Sequence, residues 1–388
     1  MTAWRVPFMS LVPGDDRAAI EAAIARVVAS GWYVLGPEVR AFETEFAAAA
    51  GAARAVGVGN GTDAIALILR ALGVGPGDEV ITTSLSAAYT ALAIMATGAR
   101  PVFADVDPTR LTIDPVAVER AIGPRTRAIL PVHLYGQAAD MAALQRVAAR
   151  HNLPIVEDCC QAHLATADGH PVGTIGVAGA FSFYPTKNLG ALGDGGAVIT
   201  NDGALADRIA RLRNGGQIDR YHHQEPGINS RLDEMQAAIL RARLPRLSAW
   251  TARRRALAAG YRTALSGLAG IEVLPERDPG HVYHLFVVRV RPDTRRSDRL
   301  PGAAFDDAAR RALQGALAAE GVETLIHYPV PMPRQPAFAR MEPADCPVAA
   351  QACAEILSLP LHPGLGDRDV TTVAATLERS LTTSNGKD

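Results

Sequence analysis

Between Arg54 and about residue 165, short and almost wholly apolar runs alternate with segments of helical periodicity, and no other feature limits the possible folds so tightly. The runs are residues 55–58, 80–83, 101–104, 128–132 and 155–156. Helical patterns fall between them at 64–72, 87–96, 116–122 and 141–149. A strand that is apolar on both faces must be covered on both, so the spacing predicts an α/β fold with a mainly parallel central sheet between helices. Upstream, Asp15 and Asp16 are placed to cap a helix through Ile20, Ile24, Val27 and Val28 that stops at Gly31. A turn-bearing link at 32–37 leads into a second helix around Val39, Phe42 and Phe46.

The rhythm loosens after residue 165. Residues 181–184 and 197–200 read as strands around a glycine-rich loop, 232–244 as a helix and 250–265 as a long arginine-rich helix. The stretch 282–290, a helix near 304–319, and 322–326 predict a smaller α+β domain. A chain of 388 residues exceeds one small core, and Pro245 marks the expected boundary: a large domain over 1–245 and a small one over 246–388. Residues 382–388 read as frayed.

Charge and cysteine usage exclude several classes. Lys plus Arg number 39 against 40 Asp plus Glu, so no field of one sign exists to gather nucleic acid or an anionic membrane. No apolar run approaches the ~18 residues of a membrane span, and the first residues lack signal-peptide character. Cys159, Cys160, Cys346 and Cys353 form no CxxC pair, so the expectation is reduced thiols in a cytoplasmic protein without a metal site. Arginine greatly outnumbers lysine, which makes each lysine worth reading individually.

Four segments carry chemistry. In Ser182-Phe183-Tyr184-Pro185-Thr186-Lys187-Asn188-Leu189-Gly190 a strand ends, Pro185 prevents its continuation, and Lys187 leads into Gly190, Gly193, Gly195 and Gly196. A lysine there can form an imine with an aldehyde and then move a proton as a base. In Glu157-Asp158-Cys159-Cys160-Gln161-Ala162 the carboxylate of Asp158 follows a buried run, at the edge where open α/β sheets bind ligands. It suits a ring nitrogen that must stay protonated, with Gln161 in reach of a ring oxygen. Gly57-Val58-Gly59-Asn60-Gly61-Thr62 passes from strand end into a helix N-terminus, which favours an anion. Its glycines also fall one short of GxGxxG, so a nicotinamide-dependent sugar oxidoreductase is a rival reading; that rival leaves Lys187 and Asp158 without roles. In Asn229-Ser230-Arg231-Leu232-Asp233-Glu234, Ser230 is placed to cap a helix, with Asp233 three residues on. A lysine, an acid for a ring nitrogen and donors for a phosphate are what pyridoxal phosphate requires.

Together, and in this order, the segments resemble the DegT/DnrJ-type family of sugar aminotransferases, within the fold type I pyridoxal-phosphate enzymes. The resemblance extends from Ser30-Gly31-Trp32-Tyr33-Val34-Leu35-Gly36 to His327-Tyr328-Pro329-Val330-Pro331. It implies a mainly parallel large domain and a smaller C-terminal one. It also implies amino transfer from an amino acid, glutamate or glutamine, to a keto sugar, commonly nucleotide-linked, or to a related cyclitol ketone. Lys187 would hold the cofactor aldehyde, Asp158 its ring nitrogen and Gln161 its phenolic oxygen. Ser182 and the backbone around Gly61 and Thr62 would take the phosphate. Asn229 would reach the phosphate of a neighbouring subunit, making a homodimer part of the site, while Arg231, His327 and Tyr328 would lie near donor or sugar. The stretch 32–36 resembles members acting at the third carbon of the sugar. One departure stands out: Ala87 occupies the position of the family's ring-stacking aromatic. Either Tyr89 substitutes from two residues away or something smaller covers the ring, and Tyr89 is equally readable as core. A cofactor-binding regulator of the same fold is the remaining alternative, though no helix-turn-helix or basic block is evident. A dehydratase of the family would carry histidine in place of Lys187.

Overall fold

The structure, a computed structural model, describes residues 4–291, 306–339, 341 and 345–385. The five predicted runs become β1 (Arg54–Val58), β2 (Glu79–Thr83), β3 (Arg100–Ala104), β4 (Thr126–Leu130) and β5 (Val156–Asp158). Two further strands, β6 (Ala178–Ser182) and β7 (Gly196–Thr200), complete the sheet. β3, β2 and β4 pair in parallel, as do β5 and β6. Bridges Ile129–Ile155 and Val132–Asp158 carry β4 onto β5. β7 alone runs antiparallel, between β6 and β1. The order is therefore β3-β2-β4-β5-β6-β7-β1, a mixed sheet that is parallel in all strands but one. β7 reverses because residues 183–195 return as a glycine-rich loop with no crossover helix.

Successive strand residues feed opposite faces, as the pleat requires. Ile81, Ile129 and Ile199 pack with Phe42, Phe46 and Leu144 on one side. Val80, Leu130 and Val198 pack with Ile65, Leu69 and Ile209 on the other. α1 (Arg17–Ser30) lies outside the first layer, packing through Ala23 and Val27 on Ala238; α2 (Pro37–Ala49) belongs to that layer, and the second is led by α3 (Gly61–Ala71). Then follow α4 (Tyr89–Met95), α5 (Pro115–Ala121), α6 (Met141–His151), α7 (Gly203–Leu212), α8 (Glu234–Arg243) and α9 (Leu247–Ala264).

A second, antiparallel sheet joins β8 (Ile271–Val273), β9 (Phe286–Val290) and β10 (Ile356–Leu359). Its core gathers Leu257, Tyr261, Phe286, Leu317 and Val373, together with Val6 from the other end of the chain. Several expectations need correcting here. Residues 322–326 form no strand, only single bridges from Val322 to Val6 and from Leu325 to Ser358, because each side of the segment has a different partner. The strand expected from 282 begins at Phe286, since Val282 and Leu285 donate instead to the carbonyls of Gly136 and Tyr135. The helix expected near 304 runs over Ala308–Ala319, and Ala304 and Phe305 lie outside the described residues. Residues 382–385 continue the helix Asp367–Asn385 rather than fraying, and 386–388 lie outside the described residues. Asp16 does not cap α1 with its side chain; it accepts from the Gly14 amide at 3.0 Å and from Arg243 at 2.8 Å. Among the described residues no helix is long and apolar enough to cross a membrane.

The link before α2 is fixed from a distance. Glu234, buried at the start of α8, accepts from the amides of Gly36, Glu38 and Val39 at 2.7, 2.8 and 3.0 Å. A carboxylate there satisfies the open donors of the α2 N-terminus and complements its dipole. A Cβ on Gly36 would lie 2.7 Å from the Glu234 carboxylate, so only glycine lets the turn come this close. Glu234→Ala should cost roughly 3 kcal/mol of stability by stranding buried amides, read as a lowered urea midpoint. An unchanged midpoint would mean that water replaces the carboxylate.

Candidate active site

Lys187 sits on a loop built to present it. β6 ends at Ser182, Phe183 is clamped by Gly195 and Ala191 through two 2.7 Å backbone bonds, and the Lys187 amide closes a turn onto Tyr184 at 2.8 Å. A Cβ on Gly190 would fall 2.5 Å from the Pro185 carbonyl, so the chain can fold back this tightly only at glycine. Asn188 pins the loop to the second sheet's approach, donating to the Val282 carbonyl at 3.0 Å and facing His284 Nδ1 at 3.2 Å. Lys187 is half-buried. Burial pushes its pKa down, while Cys160 and Asp158 oppose that shift.

Asp158 closes β5 and is buried. Its Oδ2 accepts from the Thr90 hydroxyl at 2.8 Å and its Oδ1 from the Cys160 amide at 3.1 Å. Its backbone is tied to the segment following β4, donating to Pro131 and accepting from His133, and the next amide, that of Cys159, donates to Ala180 on β6. The neighbouring Glu157 points to the opposite face. It meets His133 Nε2 at 2.9 Å and accepts from the amides of Gly173, Ile175 and Gly176. His133 Nδ1 accepts from Ala139, so the ring proton is on Nε2, toward Glu157. Glu157, His133 and Cys159 come close enough to suit a metal ion, but hydrogen bonds occupy both histidine nitrogens and both carboxylate oxygens. This knot fixes the strand end that carries Asp158.

The anion-binding loop meets the same place. Asn60 Oδ1 caps α3 by accepting from the Asp63 amide at 2.8 Å. Ser230 is not a helix cap: α8 begins at Glu234 and Asp233 caps it, at 2.7 Å from the Gln236 amide. Ser230 instead accepts from the Gly59 amide at 3.0 Å and donates to Asp63 at 2.6 Å. A Cβ on Gly61 would lie 2.7 Å from Cys160 Sγ and 2.8 Å from Ser182 Cβ. The glycine therefore brings the open amides of the first α3 turn, those of Gly61 and Thr62, against Ser182 and the Asp158 loop. A dinucleotide site is not what this loop forms, since β1 is an edge strand and β2 lies across the sheet from it.

Gln161 is engaged on both ends. Its Oε1 accepts from the Tyr135 amide at 2.8 Å and its Nε2 donates to the Tyr328 hydroxyl at 2.9 Å. It thereby brings Tyr328 and, through the Tyr135 hydroxyl bonded to the His327 carbonyl, residue 327 to the site. His327 Nδ1 meets Ser358 at 2.9 Å. Other expected residues stand apart. Tyr89 is 65% exposed and is not core, because it opens α4 on the solvent side while Thr90 turns inward. Asn229 is exposed, and Arg231 binds Asn214 at 3.0 Å.

Three side chains escaped sequence reasoning. Thr90 holds the key carboxylate, and its only signal was a hydroxyl in the first turn of a helix that follows a buried strand. Cys160 floors the gap between Gly61 and Ser182. His163 Nε2 meets the Ser182 carbonyl at 2.8 Å, and its buried Nδ1 has no partner. The arrangement fits pyridoxal phosphate: a half-buried lysine, a buried carboxylate with a capped orientation, and a glycine-made anion cradle.

Comparison with known proteins agrees. The model of the DegT/DnrJ/EryC1/StrS aminotransferase family matches residues 15–378. The chain is 50% identical over 368 residues to dTDP-3-amino-3,4,6-trideoxy-alpha-D-glucose transaminase of Streptomyces venezuelae, covering 93% of this chain and 92% of that one. The crystal structure of S. venezuelae DesV in complex with a ketimine intermediate is similar at a TM-score of 0.89 and 48% identity, over 97% of this chain and 98% of that one. NtdA from Bacillus subtilis with bound cofactor PMP is similar at a TM-score of 0.87 and 30% identity, over 98% and 86% of the two chains.

Two outcomes follow from the geometry. Thr90→Val should weaken cofactor retention about tenfold, the size of one lost hydrogen bond to a charged group, measured by reconstituting apoprotein. Unaltered retention would show that Thr90 does not orient the carboxylate. Burial holds His163 and His281 at about 3 and His327 at about 4, with the Lys187 charge adding to the shift in His163 and His327. The unfolded chain takes up these protons near pH 6.5 and the folded chain does not. Stability should therefore be full above about pH 6.5 and fall as the pH drops from there toward about 4. A urea series flat over that window would contradict the buried neutral histidines.

Proposed function

The chain belongs to the DegT/DnrJ/EryC1/StrS aminotransferase family, and on that premise we propose that it moves an amino group from glutamate or glutamine to the ketone of a nucleotide-linked sugar. The observation that carries the reading is a half-buried Lys187 within electrostatic reach of the Thr90-held carboxylate of Asp158. The similarity to a dTDP-3-amino-sugar transaminase supports the third carbon as the acceptor position.

Pyridoxal phosphate, when bound, supplies a cationic ring that stabilises the electron pair left as a proton leaves the amino-bearing carbon. Asp158 would keep the ring nitrogen protonated, its carboxylate held in one orientation by the Thr90 hydroxyl and the Cys160 amide. The Gly61 and Thr62 amides, the α3 dipole and Ser182 would hold the phosphate. Gln161 and Tyr328 would flank the phenolic oxygen. Lys187, once released, would act as the base that carries the proton across the site. Its depressed pKa favours that work, because a neutral amine is available nearer physiological pH. Arg231, His327 and Tyr328 would face donor and sugar.

The same reading assigns residues 1–245 to a large cofactor-binding domain and 246–388 to a small one, with the N-terminal segment reaching across to it. It also makes the protein a cytoplasmic homodimer with shared sites. Exposed Trp32, Tyr33, Tyr184 and Leu192 support an interface, and exposed Asn229 supports a phosphate contact across it. Tyr89, exposed beside Thr90, would cover the outer face of the ring left open by Ala87.

Holoenzyme given glutamate or glutamine and a 3-keto nucleotide sugar should release the amino sugar, identified by mass. Lys187→Ala should lose about a thousandfold or more in rate. A Lys187→Ala enzyme of undiminished rate would remove the base assigned here.

A further inference from the structure

The cradle offered to a phosphate already contains an acid. Asp63 is the third residue of α3, two positions past Gly61, and is half-buried. Its carboxylate and an incoming phosphate therefore compete for one helix start and one dipole. Like charges so placed repel, and away from bulk water the repulsion is poorly screened. A loop that receives a phosphate has to dispose of that carboxylate.

Two side chains do so. Asn60 closes the helix start on itself: Oδ1 accepts from the Asp63 amide at 2.8 Å while Nδ2 donates to Asp63 Oδ2 at 3.1 Å. Ser230 gives its one proton to the same oxygen at 2.6 Å, in the range of O–H donors on a carboxylate. The hydroxyl has no freedom to turn elsewhere, because its acceptor side takes the Gly59 amide at 3.0 Å. The two donors draw the acid back over Gly59, where a Cβ would meet Ser230 Oγ at 3.2 Å and Asp63 Oδ2 at 3.5 Å. The Cβ position of Gly61 faces Cys160 and Ser182 instead.

Ser230 is itself held firmly. It is 2% exposed, and its amide donates to the Arg213 carbonyl at 2.8 Å. Arg213 Nη1 donates to the Gly57 carbonyl at 2.5 Å, and the Gly57 amide donates to Glu43 at 2.8 Å. The unpaired edge of β1 is thus fastened at Gly57 and Gly59 by side chains, in place of a strand partner.

We propose that Ser230 is a positioning residue for the cofactor's phosphate: it acts through Asp63, holding that carboxylate off the Gly61 and Thr62 amides so that the phosphate can take them. The inference rests on the phosphate placement given above and adds what keeps the cradle free for it.

The test uses full-length apoprotein and pyridoxamine phosphate, which binds without a bond to Lys187, with pyridoxamine as the probe that lacks the phosphate. Ser230→Ala should raise the Kd for pyridoxamine phosphate about tenfold, the weight of one hydrogen bond to a charged group, and leave that for pyridoxamine within about twofold. Ser230→Thr, which keeps the hydroxyl, should stay within about threefold of wild type for both probes. Asp63→Asn should bind pyridoxamine phosphate at least as tightly as wild type. Added to Ser230→Ala, it should recover most of the lost affinity, since an amide carries no charge to repel the phosphate. A merely structural contact predicts the reverse, because Asp63→Asn disturbs the same bond. A double variant that binds no better than Ser230→Ala would overturn the proposal, as would Asp63→Asn alone loosening pyridoxamine phosphate by about tenfold. So would equal losses for the two probes in Ser230→Ala, which would assign Ser230 to the site as a whole. Wild-type apoprotein that binds both probes equally would strike the phosphate placement, and the role of Ser230 with it.

Discussion

The hydrogen bond from Thr90 to Asp158 is the contact on which the rest of the site depends. A carboxylate buried at a strand end has few ways to be solvated, and here two donors fix both oxygens. That fixes the direction of its negative charge, which in turn opposes the desolvation of Lys187. The sheet supplies the position: β5 ends at Asp158 between β4 and β6, and the buried Glu157–His133 pair locks the residue before it.

Close packing, enforced by glycine, converges the remaining parts. Gly61 lets the anion loop touch Cys160 and Ser182, Gly190 lets the lysine loop fold onto Pro185, and Gly196 lets β7 lie against Asn60. The block from Ser230 to Glu234 ties three places together. Ser230 reaches the anion loop, Leu232 packs beneath Gly57 and Gly195, Asp233 caps α8, and Glu234 caps α2. What reads as one helix start is a knot between the two ends of the large sheet's connectivity.

Much of this was legible in the sequence. The alternation of apolar runs gave β1 to β5 to within two residues at each end, because strands buried on both faces tolerate little else. The positions of Lys187, Asp158, Gly61 and Ser182 followed from motifs at strand ends, and the structure brings them together. What was not legible depends on long-range partners. The antiparallel β7 follows from a loop too glycine-rich to form a helix, and its direction has no local code. Ser230 looked like a cap because serine before a helix usually is one; its bonds to Gly59 and Asp63 span 171 and 167 residues. Tyr89 was readable either as the ring cover or as core; helix phase puts Thr90 inside and Tyr89 outside, which removes the core reading.

The composition makes the central claim unusually direct to test, because the chain holds two lysines, Lys187 and Lys387. Borohydride reduction of the yellow holoprotein, followed by peptide mass mapping, reads which of them carries the cofactor. The account predicts a single reduced adduct on the peptide containing Lys187. An adduct on Lys387, or none on a protein that retains its colour, would contradict it.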